Sequence, residues 1–169
     1  MKFKILLVLI MSSLSICAQE EWTTHKKYNF KIECPKSWVF SDTESSGSAF
    51  VILSPIEKNE TFRENINLNV SLLKGDNISL EAYKKLSLNK IHNMLPDVKI
   101  LEDNTISNGI INYQVIVWTG KIGGMFLKVK QHLYVKDNKA YSLSFNATNA
   151  SFERFKKTSD KILNSFSID

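Results

Sequence analysis

The sequence predicts an α+β domain in which antiparallel strands share the chain with two helices. Three observations carry this. Residues 65–73 alternate strictly, with Ile66, Leu68, Val70 and Leu72 on one side and Asn65, Asn67, Asn69 and Ser71 on the other, the period of a strand with one apolar face. Between Val98 and Ala147 apolar runs are separated by short turn signals, Asn108-Gly109, Gly123-Gly124 and Asp137-Asn138, which is how hairpins are joined. Two segments, one opening at Ser79 and one closing near Phe166, switch to helical spacing. About six or seven strands and two main helices follow.

The first residues read as a leader. Lys2 and Lys4 precede an unbroken apolar run from Ile5 to Met11, then small residues up to Ala18. That run is too short for a stable span and has the layout of a signal peptide, residues 1–18. Cys17 offers a rival reading, lipidation, but Ile16 is bulky where a lipoprotein signal needs a small residue. Removing 18 of the 169 residues leaves 151, residues 19–169, and loss of two lysines takes the charge from +5 to +3. A domain of that size can build its own core. Its single remaining cysteine, Cys34, forms no intrachain disulfide.

Residues 22–41 form short extended pieces. Phe30 and Ile32 share parity, Pro35 breaks the run, and Trp38 and Phe40 resume it. Asp42–Ser48 is a polar loop, Ala49–Ser54 a short apolar strand closed by Pro55, and residues 56–64 a charged loop. After the alternating strand, Gly75-Asp76-Asn77 turns the chain. Ser79 caps a helix, with Ile78 placed to staple onto Tyr83. Leu80, Tyr83, Ile91, Met94 and Leu95 form its stripe, widened by Leu86 and Leu88, and Pro96 ends it. Strands are expected at Val98–Ile106, Ile110–Thr119, Met125–Val135 and Ala140–Ala147, with Gly120 in a turn and Tyr141, Leu143 and Phe145 inward. Thr148 is expected to cap a last helix reaching about Phe166, with Phe152, Phe155, Ser159, Ile162 and Leu163 on its buried stripe.

Taken in order, these segments resemble a known family. Phe30-Lys31-Ile32 followed by Pro35-Lys36-Ser37-Trp38 is similar to its opening motif. Asn65-Ile66-Asn67-Leu68-Asn69-Val70 resembles its alternating strand, and Ser79-Leu80-Glu81-Ala82-Tyr83 its helix start. Gly109 with Tyr113, and Ala147-Thr148 with Phe152 closing on Ile162-Leu163-Asn164-Ser165-Phe166, complete the match. The chain thereby resembles the PsbP-like and DcrB-like superfamily over roughly residues 28–166. The resemblance implies an antiparallel sheet sandwiched with the helices and a binding or accessory role rather than catalysis. It supplies no binding motif, and fold alone does not choose among unrelated partners. Cys34 departs from the pattern, standing where members often carry an aromatic residue, and reads as a small buried hydrophobe.

The residues that could carry chemistry are scattered. His25, His92 and His132 lie far apart with no Cys, Asp or Glu at ligand spacing. Cys34 has no histidine beside it in sequence, and Glu20-Glu21 and Glu102-Asp103 sit on solvated segments. No catalytic residue, cofactor or metal is therefore expected. Two arginines among a surplus of lysines make a poor nucleic-acid surface. Five Asn-x-Ser/Thr triplets, at Asn59, Asn69, Asn77, Asn146 and Asn149, follow from an Asn-rich composition. The one surface that stands out is the strand face Phe126, Lys128, Lys130, His132 and Tyr134, where basic and aromatic side chains alternate. It reads either as a docking face for an acidic partner, anionic lipid or envelope polymer, or as a half-covered sheet face with lysine stems over apolar neighbours. The expectation is an exported, non-enzymatic binding or accessory protein of a bacterial periplasm or envelope. It would dock an envelope protein or complex, with peripheral membrane contact also open. The alternatives are a periplasmic carrier of a small apolar ligand or lipid, and a hydrolase with an unrecognised site.

Overall fold

The computed structural model describes residues 20–42, 47–56, 58, 60–74 and 78–169. The expected leader with Cys17, the turn at residues 75–77 and the triplets opening at Asn59 and Asn77 lie outside these residues, wholly or in part. The described chain runs β1 (Trp22–Lys27), β2 (Phe30–Pro35), β3 (Val39–Ser41), β4 (Phe50–Leu53), β5 (Asn65–Leu72) and α1 (Leu80–Met94). It continues through β6 (Lys99–Ser107), β7 (Asn112–Ile122), β8 (Met125–Lys136), β9 (Lys139–Thr148), α2 (Phe152–Asn164) and β10 (Ser167–Ile168). Seven strands pair antiparallel in the order β3-β4-β5-β9-β8-β7-β6, and β1-β2-β10 form a second, small sheet.

The large sheet is covered on both faces: β4, β5 and β9 turn their apolar side chains to one layer, and β7 and β8 turn most of theirs to the other. On one face, α2 and the small sheet bury Phe30, Ile32, Phe152, Ile162 and Leu163 against Phe50, Ile66, Leu68, Leu143 and Phe145. On the other, α1 lays Ile91 over Ile116, Trp118, Leu127, Val129 and Leu133 of β7 and β8. Each fully buried aliphatic or aromatic side chain contributes roughly 1.5–3 kcal/mol, so both layers are needed to offset the ordering of the chain. Among the described residues, no helix is long and apolar enough to cross a membrane.

Local chemistry sets the element ends. Ser79 is the N-cap of α1, its Oγ accepting the Ala82 amide at 3.1 Å. Asn108 Oδ1 accepts the Ile110 and Ile111 amides at 3.0 and 2.9 Å and shapes the β6–β7 connection. Gly123 and Gly124 join β7 to β8 with φ of +56° and +87°, angles that suit a two-residue hairpin and few residues other than glycine.

Several expectations are corrected. The extended region 22–41 splits: β1 and β2 leave for the small sheet, and β3 returns to the edge of the large one. β7 starts at Asn112 and runs through Gly120 to Ile122, so Gly120 is a strand residue. A Cβ there would stand 3.2 Å from Leu95 Cδ1, so this position lets the end of α1 close on the sheet. Leu86 and Met94 are 55% and 60% exposed rather than part of the buried stripe: Leu86, five residues before Ile91, lies on the far side of the helix, and Met94 stands at the cleft beside β5 and β9. Thr148 stays in β9, and α2 starts at Phe152 with Ser151 as N-cap. Thr148 Oγ1 accepts the Ser151 amide at 3.1 Å, which shapes the turn instead of capping the helix. Phe166 lies past the end of α2, and β10 adds to β2.

Candidate functional site

The strand face Phe126, Lys128, Lys130, His132 and Tyr134 is partly covered, with α2 lying over its two lysines. Lys128 pairs with Glu153 at 2.9 Å and lies 4.2 Å from the ring centroid of Phe152. Lys130 pairs with Asp160 at 2.7 Å. His132 and Tyr134 are buried, and only Phe126 is exposed. Alternation does put the five residues on one face of β8. That face turns toward α2, whose Glu153 and Asp160 carboxylates lie against the Lys128 and Lys130 ammonium groups.

Histidine and cysteine serve packing. His132 Nδ1 lies 3.3 Å from the Tyr134 hydroxyl, and its ring packs against Tyr113. Burial lowers its pKa to about 3, with help from the Lys130 charge and against the pull of Asp160. Cys34 is buried and free, and burial raises its thiol pKa to about 11. His25 stacks on Phe40 at 4.0 Å between ring centroids. Among the described residues, no group of three or more His, Cys, Asp or Glu is placed to hold a metal ion.

Three hollows are better placed to bind something. One, about 490 Å³, lies where the β1–β2 turn at Tyr28 and Asn29 meets Val70 and Tyr141. A second, about 280 Å³, is largely apolar, set among Ile110, Ile111, Tyr134, Phe166 and Ile168. The buried Ser167 hydroxyl in its lining has no hydrogen-bond partner.

The third, about 260 Å³, is a cleft between α1 and the polar half of the sheet. Its helix wall is formed by Tyr83, Ser87, Lys90 and Met94, and its floor by Asn69, Ser71, Trp118, Gln131 and Ser142. Register builds the floor. β5 lies against β9 with Asn65 opposite Asn146, Asn67 opposite Ser144 and Asn69 opposite Ser142, and Gln131 of β8 lies opposite Ser144. These side chains hold one another. Asn146 Nδ2 donates to Asn65 Oδ1 at 3.0 Å and Asn67 Oδ1 at 3.3 Å. Gln131 Nε2 donates to the Ser142 and Ser144 hydroxyls at 3.1 and 3.0 Å. Ser48 Oγ donates to Asn69 Oδ1 at 3.1 Å. On the helix wall, the Ser87 side chain is hydrogen-bonded to Tyr83, whose phenol pKa is raised by burial.

The β5 asparagines are visible in the sequence as a polar face, and the sequence alone reads that face as solvated. Gln131 was the missed signal, a polar residue at the parity that elsewhere in β8 carries Leu127, Val129 and Leu133. That α1 stops beside the asparagines, and makes them one wall of a cleft, is a tertiary fact.

No family model matches the chain, and no curated protein matches it. Solved structures do. Cyanobacterial PsbP (CyanoP) from Synechocystis sp. PCC 6803 superposes with a TM-score of 0.67 at 11% identity, over 94% of this chain and 99% of that one. The chain has the PsbP-like fold. The same fold is shared with LpqN of Mycobacterium tuberculosis, a protein involved in cell envelope biogenesis, at a TM-score of 0.70 and 15% identity, covering 88% of this chain and 90% of that one. A Pseudomonas aeruginosa protein of unknown function, PA94, a putative regulator, matches at 0.62 and 12% identity over 85% and 94%. The PsbP-like sandwich places the amide cleft on the α1 side of the sheet, opposite the layer formed by α2 and the small sheet.

Proposed function

We propose that this PsbP-like chain is an exported, non-enzymatic binding or accessory protein of the bacterial envelope. Its working part is a single domain, residues 19–169, behind a cleaved leader, and it docks a component of the envelope, a protein or complex, at the cleft beside α1. The observation that carries this reading is the cleft floor. Partly buried amides and hydroxyls are costly in a sheet face unless they are satisfied, yet here Asn69, Gln131 and Ser142 are gathered on the floor and held in fixed orientation by bonds with Ser48, Trp118 and one another. Such a surface is prepared for a ligand that replaces water. The side chains best suited to chemistry point the same way: His132 and Cys34 are packed so as to stay neutral and enclosed at ordinary pH. The envelope role of LpqN, a protein of the same fold, supports the compartment.

The test is site-specific photo-crosslinking in cells, with the photoreactive residue at Ser87 or Ser71 in the cleft, or at Lys157 on α2 as control. The reading expects adducts from the two cleft positions and none from Lys157. Equal labelling from all three, or none from the cleft, would contradict it.

A second reading has its own observation. The apolar hollow around Ile110 and Phe166 would suit a carrier of a small apolar ligand. Native mass spectrometry separates the two: a carrier leaves the cell with ligand bound, and a docking domain does not.

A further inference from the structure

The amide cleft also says what kind of ligand it reads. We infer that it takes a neutral saccharide chain, bound over Asn69 and Ser71 of β5, Ser142 of β9 and Gln131 of β8 and covered by Tyr83 and Met94 of α1. This rests on the cleft being the docking site and specifies that the part of the envelope complex entering it is a glycan rather than a polypeptide.

Each Asn or Gln side chain offers two N–H donors and an acceptor oxygen, and each Ser offers one donor and two lone pairs. The bonds from Ser48 to Asn69, from Trp118 to Gln131 and from Gln131 to Ser142 fix the orientation of the floor groups and use only part of their capacity. What remains is a mixed set of uncharged donors and acceptors. A sugar ring presents the same mixture, since every hydroxyl both donates and accepts. An apolar ligand would leave the floor unpaired, which costs about 1–3 kcal/mol for each buried group. An anionic ligand would call for cations, and Lys90 at the mouth is the one charged side chain lining the cleft.

The helix wall supplies the other half of the match. Tyr83 and Met94 present carbon surface opposite the amides, and an amphipathic ring can set its C–H face there while its hydroxyls meet the floor. A peptide fits less well. Peptides commonly pair their main chain with an open strand edge, and here β5, β9 and β8 already pair with neighbours on both sides. The floor crosses the sheet from Asn69 on β5 to Trp118 on β7, about 14 Å at the spacing of neighbouring strands, more than one sugar ring, so the ligand is an oligosaccharide or a polymer. A cleft slightly below the roughly 300–1,000 Å³ of small-molecule pockets suits partial enclosure of a longer chain.

Isothermal titration of the purified chain with chitohexaose, cellohexaose, maltohexaose and laminarihexaose, and with tetragalacturonate as the anionic counterpart, tests this. At least one neutral oligosaccharide is expected to bind with a dissociation constant of about 1 mM or tighter, and tetragalacturonate is expected to bind more weakly. Asn69→Ala and the cleft-filling Ser87→Trp are each expected to weaken that binding about tenfold or more, with an unchanged melting temperature showing that both fold. No heat from any neutral oligosaccharide, tighter binding of the anion, or binding that survives Ser87→Trp would overturn the inference. Cleft crosslinks to a protein in cells, with no saccharide bound in the calorimeter, would remove this inference and leave the docking reading standing.

Discussion

His132 is the residue at which sequence and structure differ most. In the sequence it belongs to an alternating basic and aromatic row that invites a docking role. In the fold it is 2% exposed, set beside Tyr134 and Tyr113. Its neutral form is the buried one, so its folded pKa of about 3 lies below the ordinary value of 6.5. Between those values the unfolded chain takes up a proton that the folded chain refuses. Stability is therefore full above about pH 6.5 and falls as pH drops toward 3, by up to a few kcal/mol. Thermal melts of wild type and His132→Phe from pH 7.5 to 4 check this. The wild type is expected to lose melting temperature more steeply than the variant. Parallel curves would mean that His132 does not carry the acid sensitivity. The neighbouring lysines were legible as a row but not as salt bridges, because Glu153 and Asp160 come from a helix more than twenty residues away.

At the scale of elements, periodicity carried most of the fold. The strict alternation of β5 and the Ser79 cap of α1 both stand as read. Ser79→Ala removes the hydroxyl that accepts the Ala82 amide and is expected to cost about 1 kcal/mol, visible in urea unfolding as a lower midpoint with the slope unchanged. A slope change would indicate that α1 unfolds apart from the sheet. What local patterns could not supply was the partition of residues 22–41 between two sheets, or the return of β10 to β2. Those depend on pairing between distant segments, such as the Ser165 hydroxyl bonded to the backbone of Glu33. The reach of α1 was equally hidden. Met94 fits a helical stripe in sequence and is exposed because the sheet beside it is polar, while Leu86 lies on the face of α1 opposite Ile91.

At the scale of the whole molecule, the two faces of the large sheet are treated differently. The face under α2 and the small sheet is closed by aromatic packing that includes Phe30, Phe50, Tyr134 and Phe166. The face under α1 is closed over β7 and β8 and left as a polar cleft over β5 and β9. This asymmetry is the centre of the account: one side of the sandwich supplies stability, and the other leaves organised polar groups within reach of a partner. The most direct test is co-sedimentation with washed cell envelopes of wild type, the cleft-filling Ser87→Trp variant, and Lys157→Trp on the far side of the sandwich. The account predicts that wild type and Lys157→Trp pellet with the envelopes while Ser87→Trp, folded to the same melting temperature, stays in the supernatant. Equal pelleting of all three would contradict it.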